Sequence, residues 1–553
     1  MQNFDDIIIG FGKGGKTIAA ALAGKGRRVA MIEKSDRMYG GTCINIACIP
    51  TKTLVHEAKA LSGCAERDFA QKAADYARAV ARKDEVTGFL RQKNLEMLTS
   101  RGVTVLTGQA SFASPHEVEV RFADGHAELL HGEDIYINTG AYSVIPPIEG
   151  LAESANVYTS TSLLDLTRLP RRLVILGAGY IALEMASMYA KFGSSVTMLE
   201  YSRRFLPRED ADMAQSVRAA LEAQGVSIHL GVSARSVRDI SEDGATRTEL
   251  RCRVAGPDGA EEERVFTADA VLLATGRRPL TEGLNLEAAG VRLDEHGAIA
   301  VDGRLRTSQP HIRALGDVKG GLQFTYISLD DFRIVRDALW GEGKRDTGNR
   351  GPVAYAVFMD PPLARVGLSE EEARAQGLNV TIAKLPAAAI PRARLLGETS
   401  GLLKAVADAD SGAILGCALH CADAGEMINT VTAAMRAGQN SAFLRDMIYT
   451  HPSMTEALND LFGQISGRLL PGRGLKIPVQ KQAQGEIPPR IQRPQEMRHA
   501  DAPPSRRRKS DQDFRRPLSR AARSTGKIKK YFTMQAHFNC SIKQFYAMAA
   551  GNA

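Results

Sequence analysis

The 553-residue sequence has no apolar run that approaches the ~20 residues needed to cross a bilayer. Its opening, MQNFDDIIIG, carries acids and no basic stretch, so it does not read as a signal peptide. It reads as the first strand of a domain, and the expected location is the cytoplasm. Cysteine is scarce: seven in a chain of this length do not make a disulfide scaffold. Cys64, Cys252 and Cys540 stand apart and read as packing or surface thiols. A basic surface is also missing from most of the chain. The net charge is +8, but the segment from Pro471 onward holds 18 Lys/Arg and 5 Asp/Glu, a surplus of 13 that leaves −5 for the rest. The total charge is therefore no argument for a nucleic-acid partner. Beyond about Ser466 the hydrophobic periodicity disappears among Pro, Gln, Arg and Lys, and residues 466–553 are expected to form a disordered basic tail.

What is present is a repeated unit. Residues 4–33 read strand, glycine turn, helix, strand (FDDIIIG, GFGKGGK, TIAAALAGKG, RRVAMIE), and residues 171–200 repeat the plan with RRLVILG, GAGYIALE, MASMYAKFG and SSVTMLE. This is a duplicated βαβ unit whose apolar strands suit a buried parallel sheet. The expected fold class is α/β, with two Rossmann-like dinucleotide-binding domains and an α+β C-terminal domain. The expected boundaries are 1–150 for the first nucleotide domain, 151–275 for the second, 276–350 for a return to the first, and 351–465 for the α+β domain.

Each unit carries a phosphate loop. Gly10, Gly12 and Gly15 form G-x-G-x-x-G between strand and helix, and Gly177, Gly179 and Ala182 form its G-x-G-x-x-A counterpart. The first glycine permits the turn, the second admits a pyrophosphate, and the phosphates sit at the helix N-terminus. Glu33 and Glu200 end the following strands, each 23 residues after the first glycine. A carboxylate there binds ribose hydroxyls and would repel a 2′-phosphate, which favours NADH at the second site. Arg203 and Arg204 follow closely and offer the opposite reading, NADPH.

Between the units lies GGTCINIACIPTK, with Cys43 and Cys48 at the opening of a helix expected over about 42–62. A straight helix would hold their Cα atoms ~8.6 Å apart, beyond the about 7 Å that a disulfide tolerates. The segment must be irregular if the bond closes, and Pro50, which cannot donate to Ile46, loosens that turn. A helix N-terminus also lowers a thiol pKa. C-x4-C without a second pair or a histidine cluster is not a zinc pattern. The pair therefore reads as a redox disulfide beside bound dinucleotides. NADH would deliver hydride to a flavin, which would reduce the disulfide, and one thiol would exchange with an acceptor. A proton acceptor is needed, and His451, five residues before Glu456 in THPSMTEALNDLF, is the candidate. Cys417, His420 and Cys421 fall in an expected strand whose alternation puts both cysteines on one face, buried rather than ligating.

The set GGTCINIACIPTK, GAGYIALE, ATGRRP, ALGD and HPSMTE, in this order, resembles the class I pyridine nucleotide–disulfide oxidoreductases over about residues 4–463. That family includes dihydrolipoamide dehydrogenase, glutathione reductase and mercuric reductase. The resemblance implies FAD in the first domain and NAD(P)H in the second. It implies that Cys43 exchanges with substrate, that Cys48 faces the flavin, and that Lys52 lies near the flavin and pairs with Glu184. Tyr180, with Ile181 beside it, would cover the nicotinamide pocket. Asp317 would bind the ribityl chain with Gln323, Phe324, Thr325 and Tyr326 nearby, and Gly140 and Gly276 close the two INTG and ATG stretches at the cofactors. His451 and Glu456 would act from the partner subunit of an obligatory homodimer. The stretches MYGGTCINIACIPTKTLVHEA, GGLQFTYISLDDFRIVRD and AAIPRARLL resemble an oxidative-stress branch of the family, which implies a small-molecule or metal-ion acceptor, with Cu(II) reduction as the expected activity. Ala47 departs from the family's usual glycine between the cysteines. Tyr449 stands where dihydrolipoamide dehydrogenases often have a second histidine. With no vicinal cysteine pair near the C-terminus, mercuric reductase is disfavoured. Dihydrolipoamide dehydrogenase is the alternative enzyme, and a non-catalytic nucleotide-binding scaffold the alternative of another class.

Overall fold

The computed structural model describes residues 1–63, 67–256 and 260–465. The expected tail, Cys64 and Cys540 lie outside the described residues. The first sheet is built on strand β1 (Gln2–Ile9), whose apolar run IIIG leads directly into the first glycine loop. Strands β2 (Val29–Glu33), β3 (Thr104–Thr107), β4 (Gln109–Ser114), β5 (Glu117–Arg121) and β6 (Ala127–Ile137) complete the path β3-β2-β1-β6-β5-β4, and Ile312–Ala314 returns to pair with β6. The pairs around β1 are parallel, and β4, β5 and β6 pair antiparallel. Helix α1 (Lys13–Ala23) packs Ile18, Ala19 and Leu22 beneath it, all almost fully buried.

A second, wholly parallel sheet orders the strands Ser227–Leu230, Ser195–Glu200, Arg172–Leu176, Ala270–Leu273 and Val157–Thr159. The duplication is therefore geometric. In both sheets the strand beside the first nucleotide strand is followed, after one residue, by a Thr-Gly pair, Thr139-Gly140 and Thr275-Gly276. The segments just beyond, Ala141–Ser143 and Arg277–Pro279, pair antiparallel. The C-terminal part forms an antiparallel five-stranded sheet of Tyr355–Val357, Leu363–Gly367, Ile414–His420, Leu402–Asp408 and Val380–Pro386. The helix Ala424–Arg436 buries Met427, Ile428 and Val431 in the core of that α+β part.

The expected single helix over 42–62 is two helices, α2 (Thr42–Asn45) and α3 (Cys48–Ser62), broken at Ile46 and Ala47. Pro50 is the third residue of α3, inside the first turn, where an absent N–H costs nothing. Ala47 has φ −142°, outside the left-handed region, so the methyl that replaces the family's glycine is accommodated. Helix α4 (Phe69–Thr99) opens with a capping box between Asp68 and Gln71 and lies against α3.

Candidate functional site: two nucleotide cradles and a thiol pair

The two glycine loops superimpose in their chemistry. Gly10 and Gly177 have φ of +100° and +107°, and a Cβ on either would fall within 2.5–2.6 Å of the carbonyl oxygen of Asn138 or Ala274. Only glycine fits both requirements. The following helices start at Gly12 and Gly179 with no side-chain cap, which leaves N–H groups for an anion. Each distal acid grips its own loop: the Phe11 N–H donates to Glu33 Oε2 at 3.0 Å and the Ala178 N–H to Glu200 Oε2 at 2.7 Å. Burial raises the Glu33 pKa. At the third position a Cβ on Gly15 would meet the Gly10 carbonyl at 2.6 Å, whereas Ala182 is simply buried.

These residues fit a flavin dinucleotide. The carboxylate of Asp317, on the turn Gly316–Lys319, accepts no hydrogen bond among the described residues, and burial raises its pKa against the pull of Arg277 and Lys319. A carboxylate kept in that state suits a hydroxyl donor. The sequence did not single out Asn138. Its Oδ1 accepts the Gly15 N–H at 2.8 Å, and its Nδ2 donates to Leu315 O at 2.5 Å. Ser328 Oγ accepts the Gly14 N–H at 3.0 Å, and Asp331 accepts the Gly316 N–H at 2.7 Å. The glycine loop and the GD turn are thus tied together by residues more than 120 positions apart.

At the second cradle, a Cβ on Gly179 or Gly276 would meet open space, as a ligand path requires. The Tyr180 hydroxyl donates to Glu209 Oε1 at 2.8 Å, and its ring stacks on Tyr355 with centroids 5.3 Å apart. Tyr355 stacks in turn on Phe324, and Phe324 on Tyr326. Ile181 is 36% exposed. Glu209, 2% exposed and also beside Arg365, was not anticipated. Arg204 is taken up by Glu371 at 2.5 Å, while Arg203 is exposed.

The broken helix brings the cysteines together as free thiols, each partly buried. The neighbouring Cys48 thiol, outweighing burial, pulls the Cys43 pKa down to about 6, with Thr325, Lys16 and Lys13 assisting. Cys48 is pushed upward in turn by Cys43 and by burial. Helix position had suggested a general lowering, but the lowered thiol is Cys43 and the larger cause is its partner. Thr325, the first residue of the helix Thr325–Trp340, sets its Oγ1 3.6 Å from Cys48 Sγ. One turn beyond Cys48, Lys52 Nζ lies 2.7 and 2.6 Å from the Glu184 carboxylate oxygens and 4.7 Å from the Phe358 ring centroid.

His451 Nδ1 is 2.8 Å from Glu456 Oε2, and Glu456 Oε1 accepts the Ser453 N–H at 3.0 Å. The imidazole is 70% exposed, and no hydrogen bond joins it to either cysteine within the chain. The hydrogen bond from His451 lowers the Glu456 pKa. Exposed Phe443, Met447 and Ile448 precede it in the chain. Cys417 and Cys421 are core residues; burial raises both thiols, Cys421 to about 12, and His420 turns instead to Ser216 at 2.8 Å. No cluster of three or more metal-ligating side chains occurs among the described residues. No described helix is long and apolar enough to cross a membrane.

Two dinucleotide cradles flanking a thiol pair, followed by an α+β domain, define a flavin-dependent disulfide oxidoreductase. The pyridine nucleotide-disulphide oxidoreductase family matches residues 4–331, and its dimerisation domain matches residues 353–462. The chain belongs to this family, which brings FAD and NAD(P)H as its cofactors, and within it the chain is an RclA-like flavoprotein disulfide reductase. It is 50% identical over 466 residues to the probable pyridine nucleotide-disulfide oxidoreductase RclA of Escherichia coli strain K12, covering 84% of this chain and 100% of that protein. It is 34% identical over 463 residues to a dihydrolipoyl dehydrogenase of Thermus scotoductus (83% and 96% covered) and 33% over 465 residues to a mercuric reductase of Staphylococcus aureus (82% and 81%). The Cu(II) complex of the HOCl-induced flavoprotein disulfide reductase RclA from Escherichia coli matches with a TM-score of 0.77 at 49% identity, covering 84% of this chain and 100% of that one.

Proposed function

We propose that the protein is an NADH-preferring reductase that passes two electrons through Cys43 and Cys48 to Cu(II), as part of defence against oxidants. The observation that carries this reading is the pair itself: two free, partly buried thiols brought together by the helix break, one with its pKa drawn down to about 6 by the other. A soft thiolate beside a second sulfur suits a copper ion. A solved relative whose title states a Cu(II) complex supports the choice of acceptor.

In this reading the flavin supplies hydride transfer between the nicotinamide and the disulfide. Gly10, Gly12, Gly15, Glu33, Gly140 and Asp317 hold it, with Gln323 to Tyr326 along its edge. Gly177, Gly179, Ile181, Glu200 and Gly276 hold the nicotinamide dinucleotide, and Tyr180 covers its pocket. Lys52, oriented by Glu184, fixes a positive charge at the flavin. Cys48 faces the flavin, supported by its contact with Thr325. Cys43 faces the acceptor. The two electrons released by the thiols reduce two Cu(II) ions, one electron each, and the disulfide reforms. His451, held by Glu456, accepts the one thiol proton from the partner subunit of a homodimer. Its exposure within one chain and the apolar surface of Phe443, Met447 and Ile448 support that arrangement. The NADH preference rests on Glu200 and on the engagement of Arg204 by Glu371.

Steady-state oxidation of NADH and NADPH against Cu(II), Hg(II), lipoamide, glutathione disulfide and a quinone tests the acceptor. Cu(II) should sustain turnover and lipoamide should not. Tyr449 supports the second expectation: its hydroxyl pKa is raised to about 12 by burial, and it donates to Leu444 O at 3.4 Å, so it offers no second base. Brisk lipoamide turnover with a negligible metal-dependent rate would replace this reading with a dihydrolipoamide dehydrogenase.

A further inference from the structure

Helix α1 carries a lysine that neither the glycine loop nor the thiol relay accounts for. Lys16 is 6% exposed, and its ammonium donates to Gly40 O at 3.3 Å and to Asn94 Oδ1 at 2.5 Å. Both acceptors are neutral, and among the described residues no carboxylate lies within ion-pair distance of it. A buried charge is normally paired, because removal from water is costly. Burial lowers the Lys16 pKa only to about 8, so the group stays mostly charged at pH 7. The first turn of α1 contains no acid either, and a cation at a helix N-terminus opposes the dipole.

The surroundings of Lys16 point to the thiols. Gly40 begins the turn that leads into Cys43, and Gly41 is pressed against the first loop, where an added Cβ would sit 2.7 Å from Gly12 Cα. Helix α4 holds this turn at two points: Asn94 through Lys16, and Arg91, whose Nε donates to Asn45 Oδ1 at 2.9 Å. Among charged neighbours, Lys13 on α1 repels Lys16 and Cys43 on α2 attracts it, while Lys52 on α3 acts on Cys48.

We propose that Lys16 is a positioning residue that stabilises the reduced form of the Cys43–Cys48 pair over its disulfide, by anchoring the Gly40 turn to Asn94 and holding a fixed positive charge beside the thiols. The proposal rests on the relay reading of the pair. On reduction the S–S bond breaks, two electrons arrive from NAD(P)H by way of the flavin, one sulfur takes a proton and the other remains a thiolate. A nearby cation favours that product, so its removal makes the pair harder to reduce.

The test equilibrates the full-length, FAD-loaded protein in dithiothreitol redox buffers, traps free thiols by alkylation and reads Cys43 and Cys48 by mass spectrometry. Lys16→Met is expected to shift the equilibrium toward the disulfide at least tenfold, about 30 mV for a two-electron couple. Lys16→Arg should stay close to the wild type, and both variants should keep their flavin. Asn94→Asp retains Lys16 but neutralises its charge, and is expected to shift the equilibrium in the same direction as Lys16→Met. The proposal is overturned if Lys16→Met or Asn94→Asp equilibrates like the wild type, or if Lys16→Arg shifts as far as Lys16→Met. Loss of flavin from Lys16→Met would also overturn it, assigning the lysine to the cofactor pyrophosphate. A wild-type protein that forms no Cys43–Cys48 disulfide at any buffer ratio would instead sink the relay reading itself.

Discussion

Lys52 and Glu184 join the two nucleotide-binding units through one ion pair, with Nζ 2.7 and 2.6 Å from the two carboxylate oxygens. Lys52 lies one turn beyond Cys48 on α3, and Glu184 one turn into the helix that opens at the second glycine loop. The carboxylate also accepts the Phe358 N–H at 2.9 Å, so its position is set by two partners. The ion pair adds a charged link to the apolar packing of the thiol helix, through Leu54 and Ala58, against the helix of the second cradle.

Replacing Glu184 with Gln keeps the shape and removes the charge. The ammonium of Lys52 then loses its orientation. Flavin reduction by NADH, followed by stopped-flow absorbance, is expected to slow by up to ~10²-fold, the cost of a small misplacement at a reacting centre. The pair is only partly buried, so the stability loss should stay near ~1 kcal/mol. An unchanged reduction rate would mean that the pair is merely structural.

The Cys43 pKa of about 6 has a stated cause, the neighbouring Cys48 thiol, and hence a stated pH dependence. Alkylation of Cys43 in the reduced protein should rise through about pH 6, not through the ordinary thiol range. Cys48→Ala removes that thiol and should move the inflection upward by at least one unit. The sign for stability follows from the depressed value: the thiolate's contribution is complete above the unfolded-state pKa and is lost as pH falls toward and through about 6. An inflection unmoved by Cys48→Ala would contradict the assigned cause.

In the proposed relay, His451 acts on thiols that its own chain does not bring to it. His451→Gln should lower acceptor turnover by about 10²- to 10⁴-fold, the usual range for a lost general base, with flavin reduction by NADH unaffected. Mixed dimers supply the sharper readout. Cys43→Ser and His451→Gln homodimers should each be inactive, and hybrids assembled from the two should regain turnover. Hybrids that stay inactive would place the base within one chain.

At the second cradle, Glu200→Gln should relax the preference for NADH. The carboxylate's repulsion of a 2′-phosphate is removed, while an amide oxygen still serves the Ala178 N–H. Adding Glu371→Ala frees Arg204 from its partner. The ratio of kcat/KM values for NADPH over NADH is expected to rise about tenfold in the double variant, equivalent to ~1.4 kcal/mol. A wild-type enzyme that already prefers NADPH would overturn the role given to Glu200.

Much of this was legible in the sequence because it is encoded locally. The glycine loops, the 23-residue spacing to Glu33 and Glu200, the cysteine spacing and the His451–Glu456 pair each lie within a short stretch. Even the break in the thiol helix followed from the distance an intact helix imposes, although the structure locates it at Ile46 and Ala47, ahead of Pro50. What was not legible depends on partners far apart in the chain. Asn138 bonds Gly15 across 123 positions, Ser328 bonds Gly14 across 314, and Tyr355 reaches the Tyr180 hydroxyl across 175. An asparagine at a strand end or a serine in a helix carries no local pattern that predicts such contacts. Lys16 was hidden for the same reason: its charge looks like a solvated helix residue until α4 covers it.

The most direct measurement supplies the oxidised protein with one equivalent of NADH under anaerobic conditions, quenches with an alkylating agent and maps the modified cysteines. The account predicts that Cys43 and Cys48 become labelled together, in proportion to the NADH consumed, and that subsequent Cu(II) restores their protection. NADH oxidation that leaves both cysteines unlabelled, with Cu(II) still reduced, would contradict it, because the electrons would then bypass the pair.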